Sequence, residues 1–144
     1  MRRIKAVVRR GLLFLLCLAV VIFVRVALYL TKFTQIRRWL VRPAAGSRDN
    51  AARAHLVARA VSQAARYVPN ATCMTQALTG QAVLSWLGVP TELVLGAACA
   101  ANKETSEATD FHAWLIWEET VILGGEELER SAFSPLSRLS SLRV

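Results

Sequence analysis

The scarce residues narrow this chain first. Its three cysteines, Cys17, Cys73 and Cys99, are odd in number and form no CxxC pair. That argues against a disulfide framework and for a reducing, cytoplasmic compartment. Cys73, Cys99, His55 and His112 would make a four-ligand set, but no paired spacing among them supports zinc. Acidic residues are missing from the N-terminal stretch until Asp49. Residues 1–53 hold twelve Lys/Arg against that one acid, a balance of +11, whereas residues 54–144 come to −3. A uniformly basic nucleic-acid binder does not look like this. A basic arm joined to a mildly acidic domain does, with an anionic membrane surface or an acidic partner as its target. No internal repeat is present, and no small-residue cleavage site follows the apolar N-terminus.

Hydrophobic residues, 54% of the total, are abundant and unevenly spread. After the basic MRRIKAVVRR comes Gly11–Val24, fourteen apolar residues in a row, then Arg25 and VALYL to Leu30. Fourteen helical residues span about 21 Å, short of a hydrocarbon core of roughly 30 Å. Basic residues flank both sides, so the positive-inside rule sets no orientation. Three readings of residues 11–30 stay open: a membrane anchor, a helix lying on the membrane, or a helix packed on the protein's own core. Phe33, Ile36, Trp39 and Leu40 recur at helical spacing among cationic neighbours and predict an amphipathic helix. RPAAGS (42–47) is the clearest break. It divides a basic, hydrophobic helical arm (1–46) from a second unit (47–144) of about 100 residues, the size of one compact domain.

In the second unit, a helix is expected over Asp49–Tyr67, burying Val57, Ala60, Val61, Ala64 and Val68. His55 falls on its polar side, as a solvated histidine would. A largely buried helix follows over Thr72–Leu87, with Thr72 or Asn70 as N-cap, Gly88 at its C-terminal end and Pro90 preventing continuation. Cys73 lies in its first turn, where the helix dipole favours an anionic thiolate, the nucleophilic form of cysteine. Thr91–Ala98 reads as a strand and Ala100–Asp110 as a polar loop. Phe111–Glu118 reads as a second strand, with Phe111, Ala113, Leu115 and Trp117 on one face and His112, Trp114 and Ile116 on the other. A turn near Glu119–Thr120 leads to a third strand, Val121–Leu123, ending in Gly124–Gly125. The tail is mixed, with FSPL as its apolar anchor. The expected fold class is α+β, a catalytic helix packed on a small antiparallel sheet.

Cysteine at a helix start and histidine on a later strand suit a cysteine peptidase. The imidazole takes the thiol proton and later protonates the leaving amine. Cys17 and Cys99, in apolar and Ala-rich surroundings, read instead as small hydrophobes.

The order ATCMTQALTGQAVLSWLGVPTELVLGA, polar loop, FHAWLIWEETVILGG carries a more specific signal. Cys73, Gly88–Val89–Pro90, Gly96, His112–Ala113–Trp114 and the Phe133–Leu136 anchor follow one another as in the transglutaminase-like leader peptidases of lasso peptide biosynthesis. Residues 50–136 resemble that family closely. The resemblance implies a papain- or transglutaminase-like core and a Cys73–His112 pair that cuts the leader from a ribosomally made precursor peptide. It also implies a third member, usually an aspartate on the strand after the histidine. The aligned position here falls near Gly124, and no aspartate lies between His112 and the C-terminus. Glu118, Glu126 and Asp110 are the substitutes to consider, with Glu119 and Glu127 beside them, and a backbone carbonyl or water is the remaining option. Gln76 stands where the family often has arginine and is a candidate oxyanion or substrate contact. The resemblance further implies a separate leader-recognition protein and a lasso cyclase as partners, with ATP entering through the cyclase and no cofactor of the chain's own. Competing readings are a membrane-tethered scaffold that has lost the triad, and another acyl transfer on the same pair, such as transglutamination.

Overall fold

A computed structural model describes residues 1–46, 50–98, 111–125 and 133–141. Four helices come first: α1 (Arg2–Leu30), α2 (Phe33–Leu40), α3 (Asn50–Ala65) and α4 (Cys73–Trp86). Four strands follow: β1 (Glu92–Ala98), β2 (Phe111–Trp117), β3 (Thr120–Leu123) and β4 (Phe133–Ser140). The sheet is antiparallel in the order β3-β2-β1-β4. This is the expected α+β arrangement.

The core lies between α4 and one face of the sheet. Leu78, Leu84, Leu93 and Leu115 are all 0% exposed, each contributing roughly 1.5–3 kcal/mol of burial. Gly80 is the point of closest approach. A Cβ there would lie 2.5 Å from Leu123 Cδ1 and 2.9 Å from Leu115 Cδ2. On the other side of α4 stand α3, through Val57, Val61 and Ala64, and α1, through Cys17, Val21 and Val24, all of them fully buried in the same cluster. The break at residues 42–47 therefore separates two stretches that share one hydrophobic core. Residues 47–49, including the expected Asp49 helix start, lie outside the described residues, as does the polar loop 100–110.

α1 is long and apolar enough to cross a membrane by length and composition, and one of its faces is buried within the protein. Arg25 does not break the helix. Its guanidinium lies over the Tyr29 ring at 4.2 Å and donates to the Tyr29 hydroxyl, one turn further on.

α2 is held by a polar clamp. The Gln81 side chain, fully buried in α4, donates from Nε2 to Leu139 O at 2.7 Å and accepts at Oε1 from Arg37 Nε at 3.1 Å. Arg37 also donates to Ser140 O at 2.7 Å, and partial burial lowers its pKa. The tail proves more regular than its composition suggests. Phe133–Ser140 is a strand along the outer side of β1, with a register shift at Leu95/Gly96.

Candidate active site

Thr72 is extended and caps α4, its Oγ1 accepting from Thr75 N at 3.3 Å. Before it the chain turns tightly through Asn70, whose φ of 56 is the left-handed conformation asparagine tolerates. Cys73 is thus the first helical residue, half-buried at the surface end of a buried helix. The N–H groups of Cys73 and Met74 have no partner within the helix by position, so they are donors available to a developing oxyanion. Gln76 is half-buried three residues along, on the same side of the helix as Cys73.

His112 is the second residue of β2, opposite Gly96, and is 4% exposed. Its Nε2 bonds to Gly124 O at 2.8 Å. A carbonyl oxygen can only accept, so this bond places a proton on Nε2. The ring stacks with Trp114 at 6.1 Å and 24°, and tilts against Phe133 at 5.1 Å. Gly124 is required for this hold. It has φ +78, and a Cβ would lie 2.6 Å from Ala113 O. A main-chain carbonyl near the aligned position thus holds one nitrogen of the ring.

The connection Leu87–Thr91 reverses the chain, so β1 runs back along α4. Fourteen helical residues cover about 21 Å and seven strand residues about 23 Å. Among the strands, α4 packs chiefly against β2, in which His112 is the second residue. Strand alternation sends Ala113 and Leu115 toward α4 and sends His112, with Trp114, to the other face of β2. The imidazole is thus directed to the face of the sheet that α4, which carries Cys73, does not cover.

The remaining candidates separate from this end of the sheet. Glu118 is exposed in the β2–β3 turn with φ 49. It lies six strand residues from His112, about 20 Å away. There it lines a cavity of about 450 Å³ with Glu92, Glu119 and Arg138. His55 is exposed on α3, edge-on to Trp117 at the far end of β2. Glu126, Glu127, Asp110 and Cys99 lie outside the described residues. Cys17 is fully buried, and burial pushes its thiol up to about 11, so it remains protonated and inert. The carbonyl of Gly124 and the ring of Phe133 were not singled out from sequence as imidazole contacts. The Gly-Gly pair closing β3 was the one available signal for the first.

Comparison with known proteins bears on which chemistry this end of the molecule supports. No curated protein and no solved structure matches the chain. A family model described as the transglutaminase-like superfamily matches residues 17–138, from the first fully buried residue of α1 to Arg138 in β4. That span includes both halves of the shared core, Cys73 at its capped helix start, and the β2–β3 hairpin that holds His112. Such a match over most of the chain settles its kinship: the protein belongs to the transglutaminase-like superfamily.

Proposed function

We propose that the protein is a cysteine peptidase that removes the leader from a ribosomally synthesised lasso peptide precursor. Cys73 is the nucleophile. Its sulfur attacks the scissile carbonyl carbon while the His112 imidazole accepts the thiol proton. The Cys73 main-chain N–H, with Gln76 beside it, faces the developing oxyanion. As the intermediate collapses, the imidazole returns the proton to the leaving amine and a thioester remains on Cys73. Water then hydrolyses the thioester, with His112 as base. No metal or organic cofactor enters these steps, and ATP belongs to a partner cyclase. A separate leader-recognition protein delivers the precursor.

The observation that carries this reading is the His112 Nε2–Gly124 O bond. It holds in place the ring of a histidine near the start of β2, the strand against which the Cys73 helix packs. Catalysis on this pair requires the thiol and the ring to come within hydrogen-bond reach. The test incubates precursor and leader-binding partner with wild type, Cys73→Ala and His112→Ala. Leader release by wild type alone supports the peptidase. Equal release by wild type and Cys73→Ala, or release by neither, refutes it. A product joined to an added amine rather than hydrolysed would assign the same thioester to acyl transfer.

A further inference from the structure

The outer face of α1 has no use in the catalytic reading. Ile4, Leu12, Leu15, Phe23, Val26 and Leu30 are between 51% and 81% exposed. At 100° per residue they fall within about 100° of arc and run for about 39 Å along the helix. The opposite arc holds Cys17, Val20, Val21, Val24 and Ala27, none more than 9% exposed. Residues 3–12 are exposed throughout, so the helix extends beyond the body of the protein. On this overhang Arg3, Arg9 and Arg10 occupy the arc away from the apolar stripe. The first 48 residues contain eleven Lys/Arg and no acid.

We infer that α1 docks the protein on an anionic phospholipid bilayer, lying parallel to the surface with its stripe in the acyl boundary. Two features argue for that occupant. The stripe and the cationic overhang together form the pattern of an interfacial helix, in which apolar area and attraction to acidic headgroups add. The charge is one-sided, matching a negatively charged sheet of headgroups rather than a mixed protein surface. A spanning orientation conflicts with the packing. The inner face of α1 is bound to α3, whose Arg53, Arg59, Gln63 and Arg66 are exposed, and crossing would draw those groups into hydrocarbon or strip α1 from the core. This inference does not depend on peptidase activity.

The test is flotation of full-length protein with vesicles of phosphatidylcholine alone or with about 30% phosphatidylglycerol, at about 0.05 M and about 0.5 M salt. Two triple variants accompany it, Ile4→Glu/Leu12→Glu/Leu15→Glu and Arg3→Glu/Arg9→Glu/Arg10→Glu. All six positions are exposed, so urea midpoints should match wild type. Wild type is expected to float with anionic vesicles, to weaken about tenfold or more in either variant or at high salt, and to be released by alkaline carbonate. Four results would overturn the inference: no flotation, equal flotation with neutral vesicles, resistance to carbonate as for a spanning helix, or a dimer formed through the stripe without lipid binding.

Discussion

Substituting Gly96 by alanine tests how tightly the histidine end of the sheet is assembled. Gly96 lies in β1 directly opposite His112, and the Trp114 ring crosses over it. A Cβ there would meet Trp114 Cη2 at 2.5 Å and Cζ3 at 2.7 Å, with Ser134 O at 3.0 Å behind. Ordinary carbon contacts are about 3.5–4.0 Å, so a rigid, buried indole must move by about 1 Å. Overpacking of this kind costs about 1–3 kcal/mol. Alanine recovers about 0.5–1 kcal/mol of glycine's conformational entropy. The net expectation is a loss of about 1–2 kcal/mol, read as a lowered urea midpoint with an unchanged slope. Trp114 stacks on His112, so cleavage should fall by more than the unfolded fraction accounts for. Gly11→Ala is the control. Nothing lies within 4 Å of a Cβ there, and the change should stabilise by up to about 1 kcal/mol. If Gly96→Ala matched wild type in stability, near-ultraviolet signal and activity, the packing reasoning would fail.

Three more predictions rest on single contacts. Thr72→Ala removes the α4 cap and should cost about 1 kcal/mol by urea denaturation, whereas Thr72→Ser should be nearly neutral. Arg37→Ala leaves the buried Gln81 Oε1 without its donor and should cost about 1–3 kcal/mol, while Arg38→Ala, on the exposed side of the same helix, should change stability little. The Cys17 thiol titrates at about 11 when folded against an ordinary 9.0. Because the native state holds that proton longer, the stabilisation is full below pH 9 and is lost as pH rises to about 11, a fall of about 2–3 kcal/mol. Cys17→Ala should lack that portion of the alkaline slope, and a slope identical to wild type would refute the assignment.

Local chemistry made α4 and β2 legible in the sequence. Thr72, Gly88 and Pro90 mark the helix ends, and alternation in FHAWLIW predicts the two faces the structure shows. β4 was hidden because Pro135 and three serines give its eight residues weak strand character. Pairing with β1 makes it a strand, and that is information carried elsewhere in the chain. α1 was ambiguous because Gly11–Val24 is apolar all round, so periodicity could not say which face α3 and α4 would cover. The orienting partner of His112 left still less trace. Main-chain carbonyls are the same in every residue, and only the fold shows which one reaches an imidazole.

Whether Cys73 forms an acyl thioester tests the central claim most directly, since peptidase and acyl-transfer chemistry both pass through it. Precursor and enzyme are mixed, quenched in acid within a turnover, digested and analysed by mass spectrometry. The account predicts an adduct on the Cys73 peptide that hydroxylamine removes, that is lost in Cys73→Ala, and that forms far more slowly in His112→Ala. Product released at full rate by Cys73→Ala, with no adduct on Cys73 in wild type, would contradict it.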